Sequence, residues 1–122
     1  MIYTGYYAKL KQYKEKGLHT IAISGKRPDF YKGAVWKDLA PRYATFEKWK
    51  NKEIDDFQYT YEYKTWLNCL DKEQIRNDIN MLLNIHNDII FLCYEKPGDF
   101  CHRHILADWI EEKLGMRVEE YV

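Results

Sequence analysis

Apolar positions recur along this chain with two different periods, and the changes from one to the other mark out its elements. Ile89 to Cys93 is an unbroken apolar run, the pattern of a strand covered on both faces, as parallel strands in α/β proteins are. Leu18 to Ser24 (LHTIAIS) is a second strand-length run, Ile2 to Thr4 a short first strand and Arg117 to Tyr121 an edge strand. Between them the spacing becomes helical. Tyr6, Leu10 and Tyr13 predict a helix over 6–16 stopped by Gly17, and Pro41 opens one running to about Asn51, with Phe46 and Trp49 toward the core. Asp55 or Asp56 caps a segment in which Tyr59, Tyr63, Trp66, Leu67 and Leu70 share a face. Asp71 with Gln74 three residues on resembles a capping box for 73–85, whose stripe is Ile75, Ile79, Leu82 and Leu83. Ile105, Leu106, Trp109, Ile110 and Leu114 give a last helix, beginning near Cys101 or His102 and ended by Gly115. Residues 29–39 keep no clear period and read as an irregular loop over the sheet edge, pinned by Phe30, Tyr31 and Trp36 and suited to a lid.

Strands alternating with helices predict an α/β fold: a compact three-layer sandwich on a small, mainly parallel sheet of about four strands, with right-handed crossovers. The two helices over 55–85 form a helical insert between the second and third strands. No repeat, low-complexity tract or linker interrupts the chain, so residues 1–122 read as one α/β domain.

Composition narrows the function classes. Nineteen Lys and Arg balance nineteen Asp and Glu, so no global field favours nucleic acid or an anionic membrane. No apolar run approaches the roughly 18–20 residues that span a bilayer, and the opening MIYTGYYAKLKQ lacks a signal-peptide core, which points to a cytoplasmic protein. Three cysteines without framework spacing suggest free thiols, a metal site or catalysis before structural disulfides.

Candidate chemistry gathers after the Ile89–Cys93 strand, where Glu95, Lys96, Asp99, Cys101, His102, Arg103 and His104 fall within ten residues. The other strand-end loop, Ser24 to Pro28, offers a glycine and two cations, Lys26 and Arg27. In open α/β sheets both loops belong to one crevice, although such a loop is more often an ordinary solvated turn. A helix starting at Cys101 presents unpaired backbone N–H groups, and Arg103 adds a fork-shaped guanidinium for phosphate or carboxylate. The same dipole favours a Cys101 thiolate, with His102 or Arg103 beside it; the plainer reading is a small buried cysteine packing the helix start. Glu95 is the best carboxylate for acid or base work, or else a salt-bridge partner of Arg103. Cys93 and Cys69 read as core, and His19 and His86 as surface or packing residues.

Specific templates fare poorly. A phosphatase loop needs an arginine six positions after its cysteine, where Cys93 has Asp99, and a thioredoxin-like pair needs two intervening residues where Cys93 and Cys101 have seven. A strand end and a following helix start can still approach closely enough for a disulfide. Cys93, Cys101, His102 and His104 suffice by number for zinc but lack its usual spacing, so no metal and no cofactor is expected.

The stretch LCYEKPGDFCHRHILADWIEEKLG resembles the family called domain of unknown function 488. The likeness rests on Leu92 to Pro97, then Cys101, His102, Arg103, then Leu106, Ala107 and Trp109. The opening IYTGYY, the IAIS strand with its basic loop, Phe30 to Gly33 and Leu39–Ala40–Pro41 extend it over nearly the whole chain. It implies a compact α/β domain of bacteria and their viruses, with no agreed activity. Longer members often open with a TIG tripeptide where this chain joins Thr4 directly to Gly5.

Three functional expectations follow. The first is a site for an anionic, nucleotide-like or phosphorylated ligand, held by Ser24, Lys26, Arg27 and Arg103, with Tyr94 stacking. The second is an enzyme with Cys101 as nucleophile and Glu95 or His102 as acid and base. The third is a non-enzymatic interaction or inhibitor protein of bacterial or phage origin, marked by an exposed apolar patch around Tyr31 and Trp36.

Overall fold

The computed structural model describes residues 1–95 and 99–122; Lys96 and Pro97, part of the turn after the Ile89–Cys93 strand and of the family motif, lie outside them. Five strands form one sheet: β1 (Ile2–Tyr6), β2 (His19–Ala22), β3 (Ala34–Val35), β4 (Ile89–Cys93) and β5 (Val118–Glu120). Their spatial order is β3-β2-β4-β1-β5, and every pairing is parallel. The sheet therefore has five strands rather than four. The added one, β3, is two exposed residues inside the segment read as an irregular loop, and only its backbone recommends it.

The unbroken apolar run of β4 is explained by its central position. Alternate residues serve opposite faces: Ile89 and Phe91 join Ile21, Ile23, Tyr63 and Trp109 in one core cluster, whereas Ile90 and Leu92 join Ala22, Leu10 and Tyr13 in another. The second face is covered by the short α1 (Leu10–Glu15). The first carries α2 (Tyr43–Lys50), α3 (Asp56–Cys69), α4 (Lys72–His86) and α5 (His102–Trp109), the last running on through a π turn over Ile110–Leu114 to Gly115 in the left-handed conformation. The result is a three-layer α/β sandwich. Gly5 marks how closely α1 approaches: a Cβ there would stand 2.5 Å from the Tyr13 hydroxyl and 2.8 Å from Ile90 Cδ1, so only glycine fits.

Local signals set the helix starts. Asp55 accepts from the Gln58 N–H at 2.8 Å and Asp71 from the Gln74 N–H at 3.1 Å, satisfying first-turn donors. The capping box is half closed, since the Gln74 amide turns instead to Asp78. Two side chains depart from the pattern. Phe46 is exposed rather than directed to the core, and Cys69, two positions beyond Leu67 and so on the opposite side of the helix, is an exposed free thiol rather than core. Trp109 Nε1–H donates to Asn68 at 2.9 Å, fastening α5 to α3. No helix among the described residues is long and apolar enough to cross a membrane.

Candidate functional site

Because β2 and β4 are neighbours, their carboxyl ends deliver the Ser24 loop and the Tyr94–Glu95 turn to the same edge of the sheet. There they border a cavity of about 840 Å³, closed on its far side by the 37–50 segment and by the start of α5. Ser24, Lys26, Tyr94, Glu95, Cys101 and His102 all line it. This is the expected place for a ligand in an open α/β sheet.

The cavity is largely aromatic, with Trp49, Tyr59, Trp66, Phe100 and Tyr94 among its walls. Phe46, read as a core side chain, serves here as exposed wall, while Trp49 packs against the core as expected and lines the cavity too. Its charged members are Lys26, Lys37, Arg42 and Lys50 against Asp38, Glu47 and Glu95, four cations to three carboxylates. All four cations are exposed and none is in an ion pair among the described residues. Arg42 stands over the Trp66 ring at 5.7 Å, which holds a guanidinium at the mouth.

The Ser24 hydroxyl is already engaged. It donates to the Lys26 carbonyl at 2.5 Å and meets the buried Tyr7 hydroxyl at 2.6 Å, an arrangement that fixes the loop. Burial pushes the Tyr7 phenol up to about 12, against the opposing effect of its hydrogen bond with Ser24, so it is a neutral strut. Tyr94, half exposed, packs edge-on against the Tyr7 ring at 5.0 Å and keeps its other surface toward the cavity.

Arg103 does not line the cavity, and neither does Arg27. The Arg103 side chain is wholly buried, in a two-pronged bond to Glu120: Nε to Oε1 at 3.0 Å and Nη2 to Oε2 at 2.8 Å. Its remaining nitrogen donates to the Glu95 backbone carbonyl and lies 3.1 Å from Cys93 Sγ, while the Tyr6 ring sits beneath it at 5.8 Å. The guanidinium thus binds the protein itself. Burial raises the Glu120 carboxyl, but the hydrogen bonds from Arg103 and Thr4 outweigh it and hold the group below its ordinary value. Glu95's carboxylate is consequently not the partner of Arg103. Glu120 went unnoticed in the sequence; its one signal is the alternation Val118-Glu119-Glu120, which places it on the α5 side of β5, opposite Thr4.

His102 is buried, its Nε2 2.5 Å from the Ile23 carbonyl and its ring edge-on to Tyr63. A carbonyl only accepts, so Nε2 carries the proton and donates. Burial, with the positive charges of Arg103 and His104 nearby, lowers the imidazole to about 4 despite that bond. His102 is therefore a neutral, oriented ring.

Cys93 and Cys101 are joined in a disulfide, and both are buried. Their sulfurs and a His102 ring nitrogen lie within 4.8 Å of one another, although the spacing in sequence lacked a ligand pattern. The patch expected around Tyr31 and Trp36 does not form. Tyr31 is buried with its hydroxyl on the Ala34 carbonyl, and Trp36 packs on the core near Phe91. His19 and His86 stack face to face at 3.6 Å away from the cavity.

A family model described as "Active DUF488-N3 subclade" matches residues 7–114. No curated protein and no solved structure matches the chain.

Proposed function

The chain belongs to the domain of unknown function 488 family, and on that premise we propose that it binds a small anionic ligand with a flat ring, a nucleotide or a close relative, in the cavity at the carboxyl ends of β2 and β4. The observation that carries this reading is the pairing of aromatic walls with exposed cations that form no ion pair among the described residues, around about 840 Å³, within the size range of small-molecule sites. Trp66, Tyr94 and Phe100 offer stacking surfaces, each base stack contributing about 1–3 kcal/mol. Lys26, Lys37 and Arg42 offer charge to a phosphate. Arg103 is replaced by Arg42 in this scheme, because its guanidinium is committed to Glu120.

A thermal-shift screen of nucleoside mono-, di- and triphosphates tests it. A ligand at ten times its Kd stabilises by about 1.4 kcal/mol, a rise in Tm of about 4–6 °C at this size. The shift is expected to shrink by more than half in Arg42→Ala and in Lys26→Ala, both exposed positions whose loss leaves folding intact. No shift with any nucleotide, or a full shift in both variants, sinks the reading.

A second reading, thiol chemistry at Cys101, is supported by the placement of Cys101, His102 and Glu95 on the one cavity wall. It predicts that, after reduction, Cys101 is alkylated well below pH 8 and that a bound nucleotide protects it. Cys69 serves as the exposed reference thiol. A pH profile for Cys101 matching that of Cys69 argues against a nucleophile.

A further inference from the structure

We infer that Cys93, Cys101 and His102 form a binding site for one soft divalent cation, zinc being the first choice, on the wall of the cavity. The site goes beyond the nucleotide reading and does not depend on it.

The donors converge from fixed positions. Cys93 ends the central strand, Cys101 occupies the cap of α5 and His102 opens that helix, and their ligand atoms lie within 4.8 Å of one another. Two sulfurs and an imidazole are a donor set that zinc prefers over magnesium or calcium. The ring is oriented as well as near. Its Nε2–H is tied to the Ile23 carbonyl, which leaves Nδ1 with the lone pair a metal needs; metal-bound histidines ordinarily hold their other nitrogen in this way.

Charge balances too. Two thiolates against one Zn²⁺ leave no net charge in a buried place, and the neighbouring Arg103 cation is neutralised by Glu120. Arg103 Nη1, 3.1 Å from Cys93 Sγ, donates to a thiolate there.

The disulfide and the metal site are two states of the same sulfurs. The Cys93 and Cys101 Cα atoms stand 7.4 Å apart, beyond the about 4.4–6.8 Å that disulfides usually bridge. Thiolates on one tetrahedral zinc, with bonds of about 2.3 Å, sit roughly 3.8 Å apart and suit a wider backbone separation. A thiol reductant connects the states. Two RSH molecules give two electrons and two protons to the S–S bond and leave as RSSR, and zinc then displaces the two protons from the freed thiols. Three protein ligands leave the fourth position open, and because Cys101 and His102 line the cavity it opens there. That is the arrangement of catalytic rather than structural zinc.

The test is Co²⁺ and Zn²⁺ titration of the full chain after reduction by a phosphine. One equivalent is expected to bind, with a thiolate-to-cobalt charge-transfer band that loses about half its intensity in Cys101→Ser and is unchanged in Cys69→Ser. His102→Gln should weaken zinc binding at least tenfold, as loss of one ligand does. The oxidised protein should bind neither ion. Cys93→Ser is left aside, because it alters a core side chain. Failure of reduced, folded protein to take up either ion, or a band that survives Cys101→Ser undiminished, overturns the site. Either result leaves nucleotide binding to be judged by its own screen.

Discussion

Arg103→Ala is expected to lower folding stability by about 3–5 kcal/mol, a large part of the total for a domain of this size. The side chain is fully buried, and its removal strands Glu120, which is itself largely covered, along with the Glu95 carbonyl. An uncompensated buried charge costs far more than a surface ion pair contributes. Arg103→Lys should recover little, because one ammonium cannot reproduce the two parallel bonds to the carboxylate. The double variant Arg103→Met/Glu120→Leu should be more stable than either single change, since it leaves neither charge alone. Urea unfolding followed by tryptophan fluorescence measures the wild type, Arg103→Ala, Arg103→Lys, Arg103→Met, Glu120→Leu and the double variant. A loss under about 1 kcal/mol in Arg103→Ala would contradict this placement and return the arginine to the list of ligand-binding residues.

The second large effect is on pH. His102 is neutral in the folded protein and falls to about 4, whereas in the unfolded chain it titrates near its ordinary 6.5. Below about 6.5 the unfolded state takes up a proton that the folded state refuses. Stability is therefore fully present above about pH 6.5 and declines until the folded-state value near 4 is reached, by on the order of 3 kcal/mol in all. His102→Gln keeps an amide donor for the Ile23 carbonyl and has nothing to titrate. In metal-free protein it should lose this portion of the acid sensitivity and retain the remainder, to which the lowered His19 and His104 contribute. Urea unfolding at pH 7 and pH 4.5 gives the comparison, and equal losses in the two proteins would show that His102 is not held neutral.

Both predictions concern residues that the sequence presented as ligands or catalysts, and the reason is physical. A cation in the first turn of a helix after a strand reads as an anion seat when its partner is invisible. Arg103's partner is Glu120, on an edge strand whose register against β1 no local pattern announces. The central strand and its helix were legible because burial on both faces of β4 writes an unbroken apolar run, and α5 writes a clean apolar face. The meeting of the Ser24 loop with Cys101 was legible from the strand-end rule alone. The opposite wall was not. Phe46 and Trp49 have the spacing of a core stripe, and Trp49 does pack against the core, but only the packing of α2 against α3 shows that Phe46 stands exposed and that both border a cavity. β3 escaped notice because two exposed residues have no side-chain signature and pair through the backbone.

The donors of the proposed metal site show a related effect. Spacing rules describe ligands carried by one loop or one helix, whereas here a strand end and a helix cap bring Cys93 and Cys101 together across seven residues. His102 follows Cys101 directly, yet the change from extended cap to helix allows both donors to face one point. Geometry of that kind belongs to the fold rather than to the motif.

The central claim is that this cavity recognises a ring and a phosphate together, and isothermal titration calorimetry of one matched set tests it most directly. A nucleoside monophosphate, its nucleoside and inorganic phosphate are titrated in turn into the wild-type protein and into Trp66→Ala. The account predicts that the nucleotide binds at least tenfold more tightly than either fragment, as about 1–3 kcal/mol of stacking added to the charge contact requires. It also predicts that much of that advantage disappears in Trp66→Ala. Inorganic phosphate binding as tightly as the nucleotide, or no heat from any of the three, would contradict it.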